Sequence, residues 1–370
     1  MPESGKLLRS ALHSKHVAAG AKMAEVAGWE MPLSYGSVVE EVRRAHSGAG
    51  LFDISHLGRI RVRGAGALDL LERVCTANVA RQEDNTALYT LLCNDSGGII
   101  DDCWLARAAE FWLLTTNACN RQKVLAHLQR HAGDSDVKID DQTERTTHVL
   151  VAGAEAKDML DAVLPEKPSA LPRRAVKVGS LMVARYVAMR IGYCRQWSIE
   201  VILPNMLAAQ AWRFITEKAG ENAVAPTGLA ARDVLRIEAG LPQYGHELNE
   251  TIDPFTAGLA AAVDFSHEFI GCQALAKARD RQLPRKRIGL LLTRKTGTQA
   301  ATIPKQGSPV RTTDRREVGT VTSGTFSPAM KCAVAMAYVD TQAAKAGGEL
   351  LVQIDSENHA AKLVELPFHP

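Results

Sequence analysis

Residues 87–104 read ALYTLLCNDSGGIIDDCW, two apolar, strand-like runs separated by the turn-forming residues Asp95-Ser96-Gly97-Gly98. A hairpin here commits the neighbouring chain to a sheet, and the flanking pattern says which kind. From Gly58 to about Asp140 the residues read strand 59–62, helix 65–75, strand 88–93, strand 99–106, strand 111–115, helix 120–131 and strand 137–139. That order matches an α+β split-βαβ unit.

The second run of the hairpin carries two adjacent carboxylates, Asp101 and Asp102. Side chains alternate across a strand, so the two point to opposite faces. Asp102 shares its face with Ile100 and Trp104, an apolar setting where an acid is costly unless something binds it. Such a carboxylate is a seat for proton chemistry. The plain alternative is one solvated aspartate and one that caps a turn.

Composition narrows the classes. The chain has 370 residues, 46% hydrophobic and 23% charged, which suits an ordinary soluble protein of two or three domains. A net charge of +3 with only 5% aromatic residues argues against a nucleic-acid partner. No apolar run approaches the length of a membrane span. The seven cysteines are odd in number, scattered and without ligand spacing, as expected of reduced structural thiols with no metal. Cys194 beside Arg195 is open to a lowered pKa or to simple packing. Gly64-Ala65-Gly66 lacks the third glycine of a dinucleotide loop. The first residues are basic and acid-poor, as in a targeting peptide, but a helix-like pattern runs from Leu8 on towards Gly28-Trp29. A cytoplasmic protein is the expectation.

A second set of elements follows: strand 148–152, helix 156–163, a strand pair within 181–191, helix 206–219 and helix 232–239. The basic stretch 277–287, KARDRQLPRKR, reads as the principal linker, either solvated or attractive to an acidic partner or polyanionic tail. Beyond it, strand-like runs at 288–292, 317–322, 333–339, 349–354 and 361–366 suggest a small antiparallel barrel.

Five segments together resemble the glycine cleavage T protein (aminomethyltransferase) family. They are Gly28-Trp29-Glu30-Met31-Pro32, Leu51-Phe52-Asp53-Ile54-Ser55-His56, Gly97-Gly98-Ile99-Ile100-Asp101-Asp102, the run 228–241 (GLAARDVLRIEAGL) with Tyr244-Gly245, and the run 318–328 (VGTVTSGTFSP). The likeness extends from about Leu12 to the C-terminus in the family's order. It implies a three-domain α+β arrangement with ferredoxin-like units around a central opening. Residues 1–280 would form the folate-binding region, with 57–145 as its ferredoxin-like part, and 285–370 the β-barrel. It further implies tetrahydrofolate as co-substrate and a lipoyl carrier protein that delivers the aminomethyl group, with release of ammonia.

Carried over by position, Asp102 matches the family's catalytic carboxylate, while Tyr89, Asn117 and Arg232 match folate-contacting positions. Arginine's planar fork suits a ligand carboxylate or carbonyl. Each has a plainer reading. Tyr89 can be a half-buried strand residue and Asn117 a helix cap. Arg232, Asp233 and Arg236 can pair along a helix surface. Ser55 and His56, a nucleophile and base in composition, are neighbours too close in the chain to meet, and a structural role is expected.

The chain departs from the family at Gly192-Tyr193-Cys194-Arg195-Gln196-Trp197-Ser198-Ile199-Glu200. Gln196 stands where the family holds the pterin with a glutamate, so the charge-assisted part of that contact is absent. Related sulfonium demethylases also carry glutamine there, although they usually show Asn-Asp in place of Asp101-Asp102. A tetrahydrofolate-dependent demethylase is the leading alternative, a folate-binding paralogue without turnover a second, and a purely structural member of the complex a third.

Overall fold

The computed structural model describes residues 6–164, 166–181, 184–192, 194, 196–218, 224–293, 302–344 and 348–368. They divide into two units, one of residues up to 90 with 102–232, the other of 91–101 with 233 onward.

The elements read between 58 and 141 are present, every boundary within two residues: Gly58–Arg63, Ala67–Val74, Ala87–Cys93, Ile99–Ala108, Phe111–Thr116, Arg121–Ala132 and Lys138–Asp141. The strands form one sheet in the order Ala87–Cys93, Ile99–Ala108, Phe111–Thr116, Gly58–Arg63, Lys138–Asp141. Without its edge strand Ala87–Cys93, this is the split-βαβ order, with the first strand between the third and fourth. Helix Ala67–Val74 buries Ala67, Leu70, Leu71 and Val74, the i, i+3, i+4, i+7 stripe that one face of a helix needs.

A second, six-stranded sheet runs Val176–Leu181, Ala184–Met189, Ser198–Pro204, Thr146–Ala152, Ala49–Asp53, Val224–Pro226. Leu51, Val149, Val151 and Ile199 from this sheet pack with Leu160 and Trp212 of two covering helices, Ala156–Val163 and Asn205–Lys218. The sequence placed the strand pair of this region too late. Gly192, at φ +81°, is in a conformation that ends an extended run, and Ser198–Pro204 beyond it is a separate strand. Helix 232–239 of the sequence reading is Leu229–Glu238.

The N-terminal pattern is not one helix. It breaks into strand Leu8–Arg9, helix His13–Ala18 and a hairpin of Lys22–Val26 with Trp29–Ser34. The hairpin turns on Ala27 and Gly28, both at positive φ, as a two-residue hairpin loop demands.

In the second unit, six strands close into a barrel: Arg285–Leu292, Cys332–Asp340, Glu317–Ser327, Pro309–Arg311, Glu349–Ile354 and Glu357–Val364, each antiparallel to its neighbours. Ala333, Ala335, Ala337 and Val339 join the interior, while Val334 and Met336 pack outside against Ile237 and Phe368. The sequence missed the short strand Pro309–Arg311 and set the last one four residues late. The basic linker is also shorter than read, because helix Cys272–Arg279 and strand Arg285–Leu292 take both its ends. Its charges are largely spent at home. Arg281 pairs with Asp253, Arg285 with Asp340 and Arg279 with Asp280, and Arg287 donates to the carbonyls of Ala257 and Gly240.

The hairpin tip 91–101 belongs to this unit. Asn94 Oδ1 accepts from the backbone N–H of Ser96 and Gly98, and Gly97 sits at φ +83°. A Cβ on Gly98 would fall 1.8 Å from the Glu250 carbonyl oxygen, so only glycine permits that approach.

Candidate functional site

The site is built on the first unit's ferredoxin-like sheet. Trp104 pairs with Thr115 across antiparallel strands, and the same register carried two residues further sets Asp102 opposite Asn117. Strand alternation gives Asp102 and Trp104 a common face, where both are half-buried, and turns Cys103 to the buried one. Tyr89, on the edge strand, lays its ring against Trp104 with centroids 5.4 Å apart.

Two neutral donors hold the carboxylate. The Tyr89 hydroxyl donates to Asp102 Oδ2 at 3.0 Å, and Asn117 Nδ2 donates to Oδ1 at 2.8 Å. Asn117 Nδ2 also reaches the Asp102 carbonyl at 3.3 Å. The capping reading of Asn117 fails: it occupies the N-cap position of the 3₁₀ turn Ala118–Asn120, but its side chain makes no capping bond there. Burial pushes the Asp102 carboxyl above the usual carboxylate range, against the opposing effects of Asn117, Tyr89 and the positive charge of Arg232. A carboxylate so placed is a better proton acceptor than a free aspartate.

Arg232 lies in the first turn of helix Leu229–Glu238, and its charge is felt at Asp102 and at two histidines. The surface-pairing alternative applies to Arg236, which bonds Asp233 but is itself buried against Glu247. Gln196 is elsewhere engaged, with its Nε2 2.9 Å from His46 Nδ1. The structure thus joins Tyr89, Asp102 and Asn117 by direct bonds and couples Arg232 to them by charge. No contact links Gln196 with this group by hydrogen bond among those resolved between described residues. Tyr193 and Arg195, and with Arg195 the reactive-thiol reading of Cys194, fall outside the described residues.

Ser55 and His56 are structural neighbours rather than a catalytic pair. Ser55 Oγ accepts from the His148 backbone N–H at 3.0 Å. His56 is 5% exposed, and burial with the nearby Arg232 charge drives its pKa down to about 3, so it is neutral. His148, bonded to Glu200 at 2.8 Å, is also held below its usual value, chiefly by burial.

Sequence reading missed Arg59. It is fully buried with no carboxylate bonded to it among the described residues, and its guanidinium donates instead to the carbonyls of Ser55, Leu57, Thr143 and Thr146 and to Thr146 Oγ1. The alternation of the run GRIRVR assigns Arg59 to the polar face with Arg61 and Arg63, and gives no signal that it is buried. Among the described residues no group of three or more His, Cys, Asp or Glu is arranged to hold a metal ion, and no helix is long and apolar enough to cross a membrane.

Comparison with known proteins identifies the family. The family model of the GCVT N-terminal domain matches residues 12–267, and that of the glycine cleavage T-protein C-terminal barrel domain matches residues 285–369. The chain is 37% identical to an aminomethyltransferase of Rubrobacter xylanophilus over 99% of its own length and 95% of the relative's. It is 33% identical to that of Caldanaerobacter subterraneus subsp. tengcongensis, covering 98% and 96%. The crystal structure of the glycine cleavage system aminomethyltransferase T from Bartonella henselae superposes with a TM-score of 0.89, at 30% identity and 98% coverage of both chains.

Proposed function

Because the chain belongs to the glycine cleavage T-protein family, we propose that it is an aminomethyltransferase that moves a methylene carbon from an aminomethylated dihydrolipoyl carrier protein to tetrahydrofolate, releasing ammonia. The single observation that supports this most is the pairing of Asp102 with Tyr89 and Asn117. Tetrahydrofolate would supply the two nitrogens that take up the carbon.

The residues present fit such a co-substrate. Asp102 is raised towards proton acceptance and held by donors that carry no charge, so it can orient a secondary amine and take its proton as the amine bonds to carbon. Tyr89 and Asn117 fix the carboxylate's plane, and the Trp104 ring behind Tyr89 fixes that hydroxyl. Arg232 would hold a carbonyl or carboxylate of the ligand. Orientation and electrostatics carry this chemistry, with no covalent enzyme intermediate. Gln196 would contribute an amide to the pterin-holding position. The reading extends to a cytoplasmic enzyme with folate-binding residues in 1–280 and a barrel domain in 285–370.

The test is one assay. Purified protein with aminomethylated lipoyl carrier and tetrahydrofolate should release ammonia and form methylene-tetrahydrofolate. Gln196 in place of a glutamate favours one second reading, a tetrahydrofolate-dependent demethylase. Methyl-tetrahydrofolate from a small methyl donor, with no ammonia from the carrier, would establish that instead. Folate binding with neither product would leave a binding protein.

A further inference from the structure

We propose that Glu41 is a positioning residue for the reaction, fixing Arg232 by clamping the start of the helix that carries it; the inference rests on the functional reading above. Glu41 lies in helix Val38–Ser47 and is 4% exposed. Its Oε2 accepts from the backbone N–H of Gly228 at 2.7 Å, and its Oε1 accepts from the backbone N–H of Tyr35 at 2.7 Å. Both bonds are charge-assisted and short, and a buried carboxylate that lost them would be left with an uncompensated charge.

Gly228 immediately precedes helix Leu229–Glu238, and its carbonyl accepts from the Arg232 N–H at 3.2 Å. A Cβ at Gly228 would fall 2.2 Å from the Leu33 carbonyl oxygen, so the helix start is pressed against the strand that leads to Tyr35. Glu41 therefore ties two backbone segments together at the point from which Arg232 is launched. The N–H groups at a helix start have no partner within the helix, and a buried carboxylate is a strong acceptor for one.

The clamp continues into a buried polar chain. Tyr35, which donates its N–H to Glu41, bonds through its hydroxyl to His16 Nδ1 at 2.7 Å. His16 Nε2 lies 2.8 Å from Asp53 Oδ2, and Asp53 Oδ1 accepts from the Ser55 N–H at 2.9 Å. Ser55 begins the loop that Arg59 grips through the Ser55 and Leu57 carbonyls before strand Gly58–Arg63 enters the Asp102 sheet. The arginine-bearing helix and the strands that present Asp102 are thus tied to one buried hydrogen-bonded network. A site of this kind needs its groups held within a fraction of an ångström, and such support from behind supplies that.

The experiment is a double-mutant cycle on tetrahydrofolate use, with Glu41→Gln, Glu41→Asp, Arg232→Ala and the combined variants. In Glu41→Gln the new amide group must face one of two N–H donors and lose that bond. The KM for tetrahydrofolate should rise about tenfold, with kcat at saturating substrate within about threefold of wild type. In the Arg232→Ala background the same substitution should change KM no further, because the group it positions is gone. Glu41→Asp keeps the charge but is one methylene short, and it carries the cycle if the glutamine variant does not fold. An equal effect with and without Arg232, or an unchanged KM in the single variants, overturns the inference alone. Wild-type protein that takes up no tetrahydrofolate overturns the functional reading and the inference with it.

Discussion

Replacing Asp102 with asparagine should abolish most of the activity without weakening the fold. In the native protein Oδ1 takes a bond from Asn117 and Oδ2 one from the Tyr89 hydroxyl. Asparagine can keep its carbonyl on Asn117 and turn its amide to Tyr89, whose hydroxyl accepts as readily as it donates. Both contacts survive, weakened by the loss of charge assistance, about 1 kcal/mol in all. Against this stands the removal of a charge that burial disfavours. Since burial raises the Asp102 pKa, its protonated form favours the folded state at acid pH, and that advantage is lost as pH rises through the raised value. At neutral pH the neutral amide therefore carries no such penalty. The net change in stability should lie within about 1 kcal/mol, or roughly 1–2 °C in Tm for a chain of 370 residues. Turnover is another matter, because an amide cannot accept the proton. A loss of about 10² to 10⁴ in kcat is expected, or about 3–5 kcal/mol of barrier. The assay is ammonia release beside a thermal melt. Turnover within about threefold of wild type, or a lost activity that tracks a collapsed melt, would refute the reasoning.

Three further substitutions test the surroundings. Asn117→Ala removes a donor that lowers the Asp102 pKa, so the acid limb of the pH–kcat profile should move to higher pH; a limb that stays in place denies the contact its role. Gln196→Glu restores an anionic acceptor and should tighten tetrahydrofolate binding about fivefold to tenfold by titration calorimetry, whereas an unchanged Kd would place the pterin elsewhere. His56 is neutral when folded, with a pKa near 3 against 6.5 unfolded, so it stabilises the fold above pH 6.5 and that stability is lost as pH falls towards 3. His56→Gln should remove up to about 1.4 kcal/mol per pH unit from the acid slope of the unfolding free energy, and denaturant melts at pH 4, 5 and 6 that run parallel to wild type would contradict it.

Local chemistry makes much of this legible in the sequence. Alternation alone separated Asp102 from Asp101, and the Tyr89–Trp104 ring contact lies on the face that alternation assigned. Helix Ala67–Val74 and its neighbouring strands were readable because each carries its own period in the apolar residues. What could not be read depends on partners far along the chain. Glu40 and Glu41 are adjacent acids on one helix, yet only Glu41 is buried, because its acceptor oxygen serves an N–H 187 residues away. Arg59 looks like a surface cation until the carbonyls of Thr143 and Thr146, 84 and 87 residues away, join those of Ser55 and Leu57 around it. Asn117 suits a cap and a ligand equally by type, and only the register of the strands decides between them. The short barrel strand Pro309–Arg311 has a simpler cause: three residues carry too few alternations to outweigh their flanking turns.

The choice of neighbours around Asp102 has its own logic. A cation bonded directly to the carboxylate would hold it ionised, pull its pKa down and spoil it as a base. Asn117 and Tyr89 orient the two oxygens at a smaller electrostatic cost, which lets burial win and the pKa rise. The cation that does act here, Arg232, is felt also at His56, which its charge helps to keep neutral. If Arg232 holds a ligand carboxylate, as proposed above, that negative charge would offset the arginine's charge at Asp102. The restraint on the carboxyl's basicity would then relax when the substrate arrives, so that binding at the arginine prepares the aspartate to accept a proton.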